Sequence, residues 1–101
     1  MQTTRVQAQR KNGQIVVPFD LYCGRACHRG GWKLPASIWA NPYHCATYGR
    51  EQCLDMYCNY IINNQYLLSS LPQLKGLRLA CFCPLTERCH VDILIQLVNN
   101  L

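Results

Sequence analysis

The residues of this chain that could carry chemistry gather near its end, where Cys81, Cys83, Cys89, His90 and Asp92 lie within twelve positions. Thiols and imidazoles are ligands of zinc. A thiol at the start of a helix is also held as a thiolate by the helix dipole and by free backbone N–H groups. The segment therefore predicts either a ligand or metal site, or a reactive thiol at a helix N-terminus.

The reactive-thiol interpretation makes Cys89 and His90 a candidate catalytic pair. The apolar run 77–82 predicts a buried strand, and the apolar stripe of residues 91–101 predicts a final helix that begins at this pair. Cys89 would then be a nucleophile or ligand, and His90 a base or hydrogen-bond donor. In the structural alternative, Cys89 is a small buried residue and His90 caps the helix.

Two sets of cysteines and histidines have the composition of a zinc site without its usual spacing. The first set, Cys81, Cys83, Cys89 and His90, begins with a Cys-x-Cys pair, whereas zinc knuckles typically separate the two cysteines by two to four residues. The second set lies in an irregular loop and comprises Cys23, Cys27, His28, His44 and Cys45. We therefore expect no cofactor and keep zinc as an alternative.

The order of predicted elements is strand, loop, helix, strand, helix, which places residues 1–101 in the α/β class as one small domain. We expect a short, mostly parallel sheet, one long helix over 49–70 and a C-terminal helix. An Asn-Gly turn predicts a basic N-terminal hairpin within residues 1–19, an extension of the core at 20–101.

This order also predicts which residues meet. A right-handed crossover makes the strands that end at Cys23 and Phe82 parallel, so their carboxyl ends share one edge of the sheet. Ligands of open α/β sheets bind at that edge. Gly24 and Arg25 should therefore approach residues 83–90. The candidate ligand-binding residues are Gly24, Arg25, Arg50, Cys83 and Asp92, to which the family resemblance described below adds Asn41.

Positive charge is concentrated in the first third of the chain. Residues 1–33 contain six basic residues and one acidic residue, whereas residues 34–101 contain four of each. A basic surface favours anionic partners such as nucleic acid, although a solvated basic face is the plainer interpretation. The candidate nucleic-acid contacts are Arg5, Arg10, Lys11, Arg29 and Lys33.

The eight cysteines bear on the cellular compartment. The N-terminus has no apolar signal segment, and no apolar run reaches the roughly 20 residues needed to span a bilayer. We expect an intracellular protein with reduced thiols, in host cytoplasm or nucleus if it is viral, and neither secreted nor in a membrane. A disulfide scaffold is the alternative if the protein matures in a particle that meets an oxidising environment.

Several short motifs, in order, resemble domain-of-unknown-function family 4326, which is met in bacteria, phages and large DNA viruses. They are tyrosine-x-glycine-arginine at 22–25, tryptophan-x-asparagine-proline-aromatic at 39–43, Arg50 at a helix start, leucine-x-glycine at 74–76, Cys-aromatic-Cys at 81–83 and Cys-His-x-Asp at 89–92. The resemblance covers roughly residues 20–98 and implies a viral or phage source, without an established activity. The hairpin looks additional, and the loop between Arg25 and Trp39 is longer than in the family.

Two functions from different classes follow. The first is a small viral or phage protein of binding or structural type, packaged in the particle, whose basic face contacts nucleic acid or an acidic partner. The second is an enzyme or sensor that uses Arg25, Asn41, Arg50, Cys89 and His90 to hold a nucleotide-like anion. Serine-hydrolase, P-loop and dinucleotide motifs are absent from the sequence, so no reaction is named. A homodimer is expected because so small a chain is half hydrophobic.

Overall fold

A short parallel sheet organises the molecule. The computed structural model describes residues 2–11, 14–29 and 31–101. In chain order the described strands are β1 (Thr4–Gln7), β2 (Arg10–Lys11), β3 (Gln14–Ile15), β4 (Leu21–Tyr22) and β5 (Arg78–Cys81). The main sheet has the order β1-β5-β4, and β5 is parallel to both neighbours. These pairings confirm the predicted α/β class and the parallel relation of the strands before Cys23 and Phe82.

The N-terminal segment differs from the predicted hairpin extension. Strands β2 and β3 do form an antiparallel hairpin, although its predicted Asn12-Gly13 turn lies outside the described residues. Strand β1, by contrast, is an edge strand of the main sheet, and the Ala8 N–H donates to the Cys81 carbonyl at 2.7 Å. The edge of β5 would otherwise present unpaired backbone groups, and β1 satisfies them.

Helices cover the sheet and supply most of the core. They are α1 (Cys45–Tyr48), α2 (Arg50–Ile62), α3 (Gln65–Ser70) and α4 (His90–Asn99), with a 3-10 helix at Leu71–Leu74. The predicted long helix over 49–70 begins as expected but is interrupted after Ile62. Gly49, with φ +80°, separates α1 from α2 in a conformation that favours glycine. No helix of the described residues is long and apolar enough to cross a membrane.

The interruption of the long helix has a local cause at Asn64. Its backbone is extended, and its side-chain oxygen accepts a hydrogen bond from the Leu67 N–H at 3.1 Å. An asparagine side chain at this position caps a new helix and competes with continuation of the old one. The helical periodicity of the apolar residues continues across the break, which is why the sequence predicted one helix.

We expect Asn64→Ala to lower the free energy of unfolding by about 1 kcal/mol, because the first turn of α3 loses its cap. Urea denaturation followed by circular dichroism would measure the change. Asn63→Ala is the matched control, since the exposed Asn63 amide donates only to the Asn59 carbonyl one turn back. Equal losses in the two variants would contradict the capping role of Asn64.

The core joins the two main helices to the sheet and to the irregular loop before α1. Leu54, Tyr57 and Ile61 of α2 and Leu94 of α4 are buried in one cluster. The Tyr57 hydroxyl donates to the Trp39 carbonyl at 2.6 Å and so holds the loop against α2. Trp39 is buried, as expected for a packed loop. The core therefore fixes the loop that forms one wall of the site described below.

Candidate functional site

The predicted meeting of the strand ends is confirmed. The His90 ring, at the start of α4, donates from Nε2 to the Cys23 carbonyl at the end of β4, at 2.6 Å. This contact joins positions 67 residues apart in the sequence. It brings Gly24 and Arg25 to the segment that follows β5, at the carboxyl edge of the sheet.

A pocket of about 470 Å³ opens at this edge. Five of the predicted catalytic and ligand-binding residues line it: Gly24, Arg25, Asn41, Cys83 and His90. The remaining lining residues are Tyr22, Ala26, Cys27, His28, Arg29, Tyr43, Cys45, Cys81 and Phe82. The volume falls within the range of small-molecule sites.

Gly24 and Arg25 shape the pocket mainly by holding its walls. A Cβ atom at Gly24 would collide with the Tyr22 hydroxyl, which donates to the Arg25 carbonyl at 2.6 Å. The Arg25 guanidinium donates twice to the Asn41 carbonyl and once to that of Tyr43, at 2.8–3.1 Å. Its Nη1 lies 3.0 Å from His44 Nδ1. Arg25 thus binds the loop while its positive charge stays at the pocket.

Asn41 lines the pocket, but its side chain is engaged in the wall. Its Oδ1 accepts from the Tyr43 N–H at 2.9 Å, and its Nδ2 donates to Cys53 Sγ at 3.2 Å. The Cys53 thiol in turn lies 3.4 Å from the Tyr43 carbonyl. These contacts assign Asn41 the role of fixing the turn that follows Trp39.

Arg50 and Asp92 do not line the pocket, although the sequence predicted them there. Arg50 donates to the Arg88 carbonyl at 2.5 Å and pairs with Glu87 at 2.9 Å. The Asp92 carboxylate accepts from the Cys89 N–H at 2.8 Å and thereby caps α4. Both side chains are engaged with the 84–89 loop. They therefore hold that loop in place instead of reaching the pocket.

The structure separates the predicted catalytic pair, because His90 lines the pocket whereas Cys89 lies behind its floor. Cys89 is only 1% exposed and does not line the pocket; it is the N-cap residue of α4, and its sulfur accepts from the Val91 N–H at 3.5 Å. A carbonyl oxygen can only accept, so the bond to Cys23 fixes the proton of a neutral His90 on Nε2. His90 Nδ1 then faces Cys89 Sγ at 3.5 Å. A catalytic role for the pair stays a prediction.

A cluster of three thiols lies at the floor of the pocket, where Cys81 and Cys83 line the cavity and Cys89 is buried behind them. Their sulfur atoms all lie within 4.8 Å of one another, and those of Cys81 and Cys89 are 3.1 Å apart. Hydrogen bonds from Cys81 and Cys83 lower the pKa of the Cys89 thiol to about 3, against burial, which raises it. Hydrogen bonding with Cys83 and Cys89 raises the pKa of the Cys81 thiol. Hydrogen bonding within the cluster therefore favours the thiolate form at Cys89 over that at Cys81.

His90 does not neutralise this charge. Burial lowers the pKa of His90, against the effect of the Cys23 carbonyl, so the ring is neutral at neutral pH. A neutral imidazole with its proton on Nε2 presents a lone pair to Cys89 rather than an N–H. The stabilisation of charge at Cys89 comes instead from the neighbouring thiols, from the Val91 N–H and from Arg5.

Arg5 is the site residue that sequence reasoning misplaced. It was predicted to contact nucleic acid, yet its side chain is only 7% exposed. Its Nη2 donates to the Pro84 and Glu87 carbonyls at 3.2 and 2.9 Å, and its Nε lies 3.5 Å from the Asp92 carboxylate. Its Nη1 is buried without a hydrogen-bond partner, and the Arg5 side chain contributes to lowering the pKa of the Cys89 thiol.

The sequence around Arg5 carries no signal of its burial. A single arginine among short polar and apolar residues looks the same on a solvated strand as on one where the arginine is buried against a remote loop. Only the pairing of β1 with β5 turns the side chain toward the 84–92 segment. The physical reason for the error is that a charged residue is buried only when a remote partner compensates it.

The other predicted nucleic-acid residues lie at the surface. Lys11, Arg29 and Lys33 are exposed, and Arg29 lines the pocket. The Arg10 guanidinium donates to the Gly31 carbonyl and lies 5.4 Å from the centroid of the Trp32 ring. Arg10 thus has structural contacts, whereas the three exposed residues are accessible to a partner.

The second predicted metal set is not assembled. Within the described residues, the three-thiol cluster is where potential metal-ligand atoms come close together, and none of the five residues of the second set belongs to it. Cys23 is fully buried, and burial raises its pKa to about 12. His44 instead faces Arg25. His90 of the first set is likewise outside the cluster, so only three of its four residues converge.

The fold and site define a small α/β domain with a cationic pocket and a thiol floor at the carboxyl edge of its sheet. The chain belongs to the family described as a domain of unknown function, DUF4326, whose model matches residues 6–100. The match begins ahead of the hairpin, and the division into a hairpin extension and a core stays a prediction.

A viral protein is among the relatives of this chain. It is similar to the uncharacterized protein R718 of Acanthamoeba polyphaga mimivirus, at 35% identity over 100 residues. The alignment covers 91% of this chain and 76% of that protein. No solved structure matches. The relation supports the association of this family with large DNA viruses.

Proposed function

We propose that this chain binds a small anionic ligand carrying an aromatic ring, of the nucleotide type, in the pocket at the carboxyl edge of the sheet. The observation that carries the proposal is the pocket itself, which combines uncompensated arginine charge with exposed aromatic surface. The proposal follows the second of the two functions predicted from the sequence. It concerns binding, because the thiol with the lowered pKa, Cys89, lies behind the floor.

The pocket is positively charged because most acidic side chains of the chain form ion pairs with arginines that do not line it. The chain has five acidic residues, and four of them pair with arginines elsewhere: Asp20–Arg78, Glu51–Arg88, Glu87–Arg50 and Asp92–Arg5. Among the described residues, neither Arg25 nor Arg29 has an ion pair. A cationic pocket with low-dielectric walls attracts anions, and arginine suits phosphate oxygens.

Aromatic side chains give the pocket an apolar wall. Phe82 is 39% exposed and packs edge-to-face against Tyr22 and Trp32, with ring centroids 5.7 and 5.4 Å apart. Such packing holds the Phe82 ring in place while leaving part of its surface accessible. Every type of nucleobase can stack on an aromatic ring. The wall therefore supports a ligand with a planar ring beside its anionic group.

The geometry favours a small ligand over a nucleic-acid strand. Arg5 is buried and Arg10 is engaged with Gly31 and Trp32, so the predicted basic face loses two of its five members. Of the three exposed members, Lys11, Arg29 and Lys33, Arg29 lines the pocket. The predicted homodimer, packaging in a virus particle and intracellular location stay predictions.

Calorimetric titration with adenosine monophosphate would test the proposal, with ribose 5-phosphate as the anion without a base. We expect the nucleotide to bind more tightly, because only it can use the aromatic wall. Arg29→Gln should weaken nucleotide binding about tenfold, the loss of one charge-assisted hydrogen bond of about 1.4 kcal/mol. Lys33→Gln is the matched control, since Lys33 is exposed but does not line the pocket.

Two results would contradict the proposal. One is equal weakening by Arg29→Gln and Lys33→Gln, which would indicate attraction by net charge rather than by the pocket. The other is binding of a single-stranded oligonucleotide, but not of the mononucleotide, with an affinity that falls steeply with salt. The second result would support nucleic-acid binding instead of small-ligand binding.

A further inference from the structure

We propose that Cys81, Cys83 and Cys89 bind one thiophilic divalent metal ion, zinc by preference, at the floor of the pocket. The inference goes beyond the proposed function, because the thiols can bind a metal whether or not the pocket takes an anionic ligand. It rests on the placement of the three sulfur atoms, on a buried arginine directed at them, and on the open side of the cluster.

The distances suit a metal ion. Zinc–sulfur bonds of about 2.3 Å in a tetrahedral site place neighbouring sulfurs about 3.8 Å apart. The three thiols already lie within 4.8 Å of one another, with Cys81 and Cys89 at 3.1 Å. Side-chain adjustments of less than about 1 Å therefore bring all three sulfurs to bonding distance of one ion.

The surroundings are arranged for thiolate rather than thiol. The Val91 N–H at the start of α4 points at Cys89 Sγ, and the Arg5 guanidinium, whose buried Nη1 has no hydrogen-bond partner, interacts with the same thiol. N–H groups that point at ligand sulfurs form the outer shell of metal–thiolate sites. Three thiolates around a divalent cation carry one net negative charge, which the Arg5 guanidinium compensates.

One side of the cluster is closed and the other opens on the pocket. Cys89 is buried below, whereas Cys81 and the half-buried Cys83 line the cavity. An ion can therefore enter from the pocket. Sites with three protein ligands and a fourth position open to solvent or to a small molecule are typical of zinc that does more than hold a fold together.

Zinc titration of the freshly reduced full chain tests this proposal, with native mass spectrometry for stoichiometry and a chromophoric chelator for affinity. We expect one zinc per chain. Cys83→Ser should weaken zinc binding at least about a hundredfold, because serine is a poor ligand for zinc. Cys89→Ser should do the same and still fold, since serine is a good helix cap.

Cys58→Ser is the matched control. Cys58 is half-buried like Cys83 but lies in α2 outside the cluster, so its replacement should leave zinc affinity unchanged. Titration with Co²⁺ should give a near-ultraviolet sulfur-to-metal absorption band that Cys83→Ser diminishes. Reduced wild-type chain that takes up no zinc, or equal affinities of Cys83→Ser and Cys58→Ser, would overturn the proposal. Nucleotide binding that fails while zinc binds would overturn only the proposed function.

Discussion

Replacement of Arg5 by glutamine should lower the free energy of unfolding by about 3 kcal/mol, a large effect for an arginine near the N-terminus. The guanidinium joins β1 to two carbonyls of the 84–87 loop and to the carboxylate that caps α4. Glutamine can replace at most one of these hydrogen bonds. The acceptors left behind are then short of partners in a partly buried position, which is the costly part of the change.

The Arg5 experiment is cleanest by urea denaturation with reductant and a metal chelator present, so that metal binding does not contribute. Arg88→Gln is the matched control, because Arg88 pairs with Glu51 at 2.8 Å between two exposed side chains. Exposed pairs contribute less than about 1 kcal/mol. The free energy of unfolding of Arg5→Lys should lie between those of wild type and Arg5→Gln. Lysine keeps the positive charge but lacks the planar guanidinium that donates to several acceptors at once. A loss for Arg5→Gln no larger than that for Arg88→Gln would show that the buried contacts do not stabilise the fold.

The second large effect is expected from Leu94→Ala, which should destabilise the chain by about 2–5 kcal/mol. Leu94 is fully buried between α4 and the rest of the core. Removal of three carbons there loses their transfer free energy and leaves a cavity that close packing cannot fill. In a chain of this size, that loss is a large part of the total stability.

Leu85→Ala is the control for Leu94→Ala, because Leu85 is 59% exposed in the loop before α4. Its replacement should change the free energy of unfolding by less than about 0.5 kcal/mol. Thermal denaturation would show the contrast as a large fall in melting temperature for one variant and little change for the other. Similar falls for both would place Leu94 outside the core.

Much of the fold could be predicted from the sequence, because its main signals are local. The apolar run at 77–82 became the central strand β5, and the apolar stripe of residues 91–101 became α4. The predicted parallel relation of β4 and β5 needed only the handedness of the crossover. From it followed the approach of Gly24 and Arg25 to the Cys-His segment, which the contact of His90 with Cys23 confirms.

Other features could not be predicted, since they depend on residues far apart in the chain. Nothing near Arg5 indicates that it reaches a carbonyl 82 residues away, because a charged side chain on a short strand suits a solvated edge equally well. The same holds for Arg50, whose position at a helix start was right but whose side chain turns to the 84–88 loop rather than to the pocket.

The sequence by itself determined the elements, their order and the edge at which the chemistry-bearing residues collect, because periodicity and chain handedness are properties of neighbouring residues. Only the tertiary structure decided which of those residues face the pocket. Cys83 lines the pocket floor, Cys89 is buried beneath it, and the side chain of Arg5 is buried as well. Burial of a thiol or a guanidinium is settled by the sum of remote packing, charge and hydrogen bonds, which local sequence does not contain.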